Sequence, residues 1–269
     1  MIAIAEAFQK AKRRGCGALV GYITAGDPSP ELTPKIADAL IRGGVDVLEL
    51  GLPFSDPIAD GPTIQAASAR ALAAGTTPLK VLQIAKEIRG SHPTPVAIMT
   101  YYNPVFRMGL EKFCSTAKEC LIDGVIVPDL PVEEAVDFRK AAAKFGLDTI
   151  FLAAPSTSNE RLQAVVGCSS GFLYLVSHFG VTGAQTAVAD SSVQLVKRVK
   201  PFTEGKIPLA VGFGVSKTEH VKSLLAAGAD GVIVGSAFVN IVQAHRNDFP
   251  AALRELESKA NELKNATRR

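Results

Sequence analysis

Charge of one sign is scarce in excess. The formal net charge is +3, too small to mark a nucleic-acid partner. The densest basic runs, Lys12-Arg13-Arg14 and Arg268-Arg269, read as solvated surface. Cysteine is sparse too. Cys16, Cys114, Cys120 and Cys168 form no C-x-x-C pair, and none sits beside a histidine at metal spacing, which argues against a zinc site. They read as small buried hydrophobes in a reducing compartment. No apolar run approaches the ~18 residues that would span a membrane. The first residues, Met1 to Phe8, lack a signal-peptide layout, so the expected location is the cytoplasm. There is no Walker motif. The turn after the first apolar run is Thr24-Ala25-Gly26-Asp27-Pro28, which does not fit the G-x-G-x-x-G of a dinucleotide-binding sheet.

What is present is apolar material in short, repeated doses. Hydrophobic residues make up 47% of the 269 positions and charged ones 20%, enough for one large core. Runs rich in Val, Ile and Leu recur at Leu19-Thr24, Val45-Leu50, Val96-Tyr101, Val125-Val127, Thr149-Leu152, Phe172-Val176, Pro208-Val211 and Gly231-Val234. Stretches of helical period lie between them, at Glu31-Ile41, Leu79-Ile88, Glu133-Lys144, Ser191-Val199 and Lys217-Leu225. Near-continuous apolar strands covered by helices are the pattern of a parallel sheet. Eight such units without a second composition zone predict an α/β fold, a single-domain (β/α)8 TIM barrel over residues 1–269. An extra N-terminal helix is expected, with Ile4, Phe8 and Ala11 on one side. Two units are long: Pro53-Gly61 after the second strand, and Phe179-Asp190 after the sixth. In a barrel both loops fall on the C-terminal face, where active sites are built, and both read as lids.

The second strand carries an acid. In Val45-Asp46-Val47-Leu48-Glu49-Leu50-Gly51, period-two alternation places Glu49 on the face of Val45 and Val47, and Asp46 on the other. A buried carboxylate needs a partner or takes up a proton. None of the eight runs contains Lys or Arg. Glu49 is therefore expected to have a raised pKa, suited to general acid/base work rather than to an internal ion pair. Asp60, ahead of Gly61-Pro62, and Asp56, ahead of Pro57, read from their local sequence as helix-cap or turn residues.

Glycines mark a second function. Gly212-Phe213-Gly214 follows the seventh strand and Gly235-Ser236 the eighth. Each opens a helix, where backbone N–H groups and the helix dipole favour an anion. Loops after these two strands are the usual phosphate site of the barrel. No basic residue lies in either turn, which fits a backbone-held phosphate monoester better than a polyphosphate.

The stretch Leu48-Glu49-Leu50-Gly51-Leu52-Pro53-Phe54-Ser55-Asp56-Pro57-Ile58-Ala59-Asp60-Gly61-Pro62-Thr63-Ile64-Gln65 resembles the signature of the tryptophan synthase α subunit family. Gly26-Asp27-Pro28, Tyr101-Tyr102-Asn103-Pro104, Pro128-Asp129-Leu130-Pro131, Gly180-Val181-Thr182-Gly183 and Gly212-Phe213-Gly214 match in order, so the resemblance covers essentially the whole chain. It implies a lyase, performing retro-aldol cleavage of indole-3-glycerol phosphate to indole and glyceraldehyde 3-phosphate for tryptophan biosynthesis. It implies that Glu49 is the acid/base, that Asp60 accepts a hydrogen bond from the indole nitrogen, and that Tyr174 lines the site near Glu49. The reading of Asp60 as a cap gives way on this point. Tyr22, Thr100 and Val127 would wall the indole pocket. Gly183, Gly214, Gly235 and Ser236 would hold the phosphate. No cofactor is implied for this chain; pyridoxal phosphate belongs to the partner β subunit of an αββα complex. The loops carrying Asp56, Pro57 and Thr182 would close over substrate and face β. His178 stands where many relatives carry arginine, and reads as a loop contact. His92, His220 and His245 are expected on the exposed surface.

Three other readings use parts of the same pattern. One is a stand-alone lyase that releases free indole without β. Another is a different phosphosugar barrel enzyme, such as an isomerase or an indole-glycerol-phosphate synthase; the synthase would carry lysines at strand ends, absent here. The third is a non-catalytic barrel that only activates a partner, which the intact Glu49 and Asp60 oppose.

Overall fold

The computed structural model describes residues 3–177, 185–212 and 214–268, with backbone alone over 185–190. Among them are nine parallel strands: β1 Ala18–Thr24, β2 Val47–Gly51, β3 Val96–Met99, β4 Gly124–Ile126, β5 Asp148–Ile150, β6 Leu152–Ala153, β7 Leu173–Val176, β8 Leu209–Gly212 and β9 Gly231–Val234. Their order in the sheet is β5-β4-β3-β2-β1-β9-β8-β7-β6. The two outermost strands are separated in sequence only by Phe151, whose carbonyl accepts the Tyr174 amide at 3.1 Å. The fifth expected strand is thus one extended segment in two pieces, one pairing with β4 and the other with β7. The eight units close into a barrel at that break.

Around the sheet lie α2 Thr33–Arg42, α3 Pro62–Ala73, α4 Pro78–Ser91, α5 Tyr102–Met108, α6 Leu110–Glu119, α7 Val136–Lys144, α8 Asn159–Cys168, α9 Gln185–Thr203, α10 Thr218–Ala226, α11 Ser236–Ala244 and α12 Phe249–Ala266. Ahead of them, α1 Ile4–Arg13 buries Ile4, Ala7, Phe8 and Ala11. These four residues join the interior cluster of the barrel with Val20, Val47, Ala97, Ile126, Phe172 and Ile233. The Phe8 ring lies 5.4 Å from Phe172, and Phe172 lies 6.2 Å from Tyr174. The expected N-terminal helix is therefore a plug that seals the barrel floor with hydrocarbon.

The starts of alternate strands are stapled by one repeated device. Asp46, just before β2, accepts the Leu19 amide of β1 at 2.8 Å. Asp123, just before β4, accepts the Val96 amide of β3 at 2.9 Å, and Asp230, before β9, accepts the Leu209 amide of β8 at 2.9 Å. Ser170, ahead of β7, does the same for Thr149 of β5 at 2.9 Å. Each Asp also meets a cation: Lys264, Arg89 or Lys200. The N-terminal rim is thereby satisfied and fixed, and the C-terminal rim is left to carry chemistry.

Three expectations are revised. Val45 does not share the inner face of Glu49, because β2 begins at Val47 and Val45 packs in the layer between sheet and helices. The loop expected to run to Asp190 ends earlier, since α9 already begins at Gln185. His92 and His245 are half-buried beside Asp38 and Glu255, at 3.2 and 2.6 Å, and His220 is half-buried as well. Of the cysteines, Cys114 and Cys120 are buried and Cys16 and Cys168 are partly exposed.

Candidate active site

β2 presents Glu49 to the barrel interior, between Tyr22 of β1 and Ala97 of β3 in the strand register. Glu49 is 1% exposed, and neither carboxyl oxygen has a hydrogen-bond partner among the described residues. Hydrocarbon below and strands on both sides strip its water. Loss of hydration, followed by the like charge of Asp60, pushes its pKa up to about 8. At neutral pH the carboxyl therefore holds its proton.

Asp60 lies at the end of the loop joining β2 to α3 and is half-buried. Its amide donates to Pro57 O at 3.1 Å, and its carbonyl accepts from Gln65 Nε2 at 2.9 Å. The N-cap of α3 is Gly61, and no side chain caps that helix. Asp60 is thus free of the capping duty its local sequence suggested. Burial raises its pKa, and the neighbouring Tyr101 hydroxyl partly offsets that rise.

Two tyrosines flank the acids. Burial and the neighbouring carboxyls hold the Tyr22 and Tyr174 phenols protonated, well above the usual range. The Tyr22 hydroxyl lies 3.3 Å from Thr24 Oγ1. Gly51 and Gly212, which end β2 and β8, are glycine because of these rings. A Cβ on Gly51 would collide with the Tyr22 phenol, and one on Gly212 would lie 2.7 Å from the Tyr174 hydroxyl.

Tyr22, Leu52, Asp60, Ser68, Met99, Thr100, Tyr101 and Pro128 enclose a small cavity at the mouth of the barrel. Thr100 thus lies on the wall of this cavity. Val127 lines an adjoining cleft, which shares Pro128 and extends to Phe151, Leu152 and Val176. Met99, Ser68 and Tyr101 went unassigned in the sequence; Tyr101 lies in a quoted motif, but no local pattern signals its reach. A larger hollow, about 600 Å³, opens between Ala154 and α9, but serines, Gln194 and Arg198 line it and it holds no carboxyl.

Beside Tyr22 lies the first turn of α11. Gly235 is its N-cap, and a Cβ there would meet the Tyr22 ring at 3.2 Å. Ser236 follows, and no acidic residue sits in the first turn. Gly214 adopts a φ of +82°, a left-handed conformation that favours glycine, ahead of α10. The two turns offer backbone donors on the same rim as Glu49. Gly183, Thr182 and His178 lie outside the described residues. Among the described residues, no cluster of three or more His, Cys, Asp or Glu could hold a metal ion, and no helix is long and apolar enough to cross a membrane.

A closed parallel barrel with a dehydrated acid and a second carboxyl at its C-terminal mouth defines a barrel enzyme that moves protons on a small substrate. The family model of the tryptophan synthase alpha chain matches residues 8–268, and the chain belongs to that family. A Methanosarcina barkeri tryptophan synthase alpha chain is 48% identical, over 99% of this chain and 97% of its own. The solved alpha subunit from Legionella pneumophila is 35% identical, with a TM-score of 0.89 over 99% of this chain and 98% of its own. A chain solved in work on mutual activation of the Pyrococcus furiosus tryptophan synthase a2b2 complex is 44% identical, with a TM-score of 0.86 over 93% and 98%. The chain is a lyase of this family, cleaving indole-3-glycerol phosphate in tryptophan biosynthesis.

Proposed function

We propose that Glu49 alone carries the proton inventory of the cleavage, with Asp60 as its electrostatic partner. Glu49 starts protonated and delivers its proton to indole C3. The ring nitrogen becomes electron-poor, and the Asp60 carboxylate, accepting its N–H, stabilises the indolenine form. Glu49, now a carboxylate, removes the proton of the glycerol hydroxyl. The C–C electron pair returns to the ring as the bond breaks, releasing indole and an aldehyde. Glu49 ends as it began, so no net proton is consumed. Tyr174 and Tyr22 pack against the reacting ring, and Thr100 and Val127 complete its walls. Gly214, Gly235 and Ser236, with Gly183, hold the phosphate through backbone donors and the α11 dipole.

One observation carries this reading: a fully buried glutamate whose two carboxyl oxygens have no partner among the described residues, within reach of the charge of Asp60. Residues 1–269 would act as one catalytic domain in the cytoplasm, needing no cofactor of their own. Pyridoxal phosphate would reside in a β subunit, joined in an αββα complex. Asp56, exposed, and Pro57, partly exposed, would face β along with Thr182; Ile58, 83% exposed, and Phe106, 67% exposed, would each offer hydrocarbon to that contact. Incubation with indole-3-glycerol phosphate should release indole, and added β subunit should accelerate it. Glu49→Gln should retain substrate and β while losing at least about 100-fold in turnover; normal cleavage by that variant refutes the assignment.

A further inference from the structure

The loop that carries Asp60 is gripped at both ends by one side chain from the turn after β3. Tyr101 follows β3 and is 5% exposed. At the near end of the loop its ring stacks on Phe54, with centroids 5.3 Å apart and planes 29° apart. At the far end its hydroxyl accepts the Ala59 amide at 2.9 Å, next to Asp60, with which Tyr101 shares the wall of the small cavity.

The platform beneath Tyr101 is rigid. The Thr100 amide donates to Ile126 O of β4 at 2.9 Å. The Thr100 hydroxyl donates to the Tyr101 carbonyl at 3.1 Å, and the Tyr102 amide donates to Asp129 Oδ1 at 2.9 Å. The Leu52 amide, at the start of the loop, donates to Met99 O at 2.8 Å. A phenol held this way transmits the barrel's rigidity to a loop that has little of its own.

We propose that Tyr101 is a positioning residue for the cleavage, fixing the Asp60 carboxylate at the indole nitrogen and holding the loop between β2 and α3 in its working form. The proposal rests on the role given to Asp60 above. The titratable groups facing Asp60, among the described residues, are Glu49 from β2, Tyr22 from β1, Tyr174 from β7 and Tyr101 itself; Asp129 adds its charge on the far side of Tyr101. Of these, only Tyr101 favours the ionised form of Asp60. Removing its hydroxyl therefore raises the Asp60 pKa.

Tyr101→Phe keeps the ring stacked on Phe54 and deletes only the hydroxyl. Assayed as the complex with β subunit on indole-3-glycerol phosphate, it should lose about 10- to 100-fold in kcat, the cost of leaving the Ala59 amide beside Asp60 without its acceptor, with little change in KM. The acidic limb of its kcat profile should move to higher pH, because ionised Asp60 then demands a higher pH. In an Asp60→Asn background the same substitution should cost little more. A wild-type kcat and pH profile, an unmoved acidic limb, or an equal loss in the Asp60→Asn background would each overturn the proposal. If Asp60→Asn is inactive while Tyr101→Phe behaves as wild type, the positioning role alone fails. Full activity in Asp60→Asn sinks the role of Asp60 as well. Far-ultraviolet circular dichroism and the urea midpoint of Tyr101→Phe, expected near those of the parent, verify that a loss is not unfolding.

Discussion

A carboxyl between Leu48 and Leu50, one layer above a floor of Phe8 and Phe172, keeps its proton until about pH 8. In the unfolded chain the same group ionises near pH 4.5. Between these values the folded state binds one more proton than the unfolded state. The stability contributed by neutral Glu49 is thus complete below about pH 4.5 and is lost as pH rises through 8, with a slope of about 1.4 kcal/mol per pH unit. Urea unfolding of the parent and of Glu49→Gln, compared from pH 5 to 8, should show the parent losing ground along this slope. Parallel curves would mean that Glu49 is ionised in the fold. This residue was legible in the sequence because its strand offers no Lys or Arg. Asp60 reads from its local sequence as a cap, because the residues that share its cavity, Tyr22, Thr100 and Tyr101, come from other elements and no local motif connects them to it.

At the scale of elements, catalysis at one rim rests on stapling at the other. Arg89 is fully buried and donates to the carbonyls of Leu121, His92 and Thr94 as well as to Asp123. Asp123→Ala leaves that guanidinium without its counter-charge and the Val96 amide without its acceptor. It should cost about 3 kcal/mol, read as a lower urea midpoint, while the surviving folded fraction keeps its KM. Phe8→Ala should cost about 3 to 5 kcal/mol by opening a void in the floor, and by admitting water it should also draw the Glu49 titration downward. A Phe8→Ala protein as stable as its parent would show that α1 is an appendage. The amphipathic spacing of Ile4, Phe8 and Ala11 revealed that this helix hides one side. It could not reveal that the hidden side enters the barrel, since periodicity defines a face but not the surface it meets. The staples were half visible: Asp46 stood out at a strand start, but its acceptor role joins two strands.

For the whole molecule, eight apolar runs sufficed for the closed barrel, because parallel strands buried on both faces leave a strong imprint on sequence. The break of the fifth strand at Phe151 left none, being a detail of closure rather than of hydrophobicity. The barrel in turn sets the partner surface. Ile58 and Phe106, exposed near the mouth, expose hydrocarbon that a monomer gains nothing by showing. Ile58→Asp should weaken β binding about tenfold or more in Kd, measured by titration calorimetry, whereas an unchanged Kd would move the interface elsewhere.

The cleavage depends on the protonation of one side chain, and carbon-13 NMR of glutamate labelled at the carboxyl carbon reads it directly. One resonance, absent from Glu49→Gln, should remain that of a neutral acid at pH 6 and titrate near 8. If that resonance titrates in the ordinary carboxylate range near 4.5, Glu49 is no proton donor at neutral pH and the mechanism is contradicted.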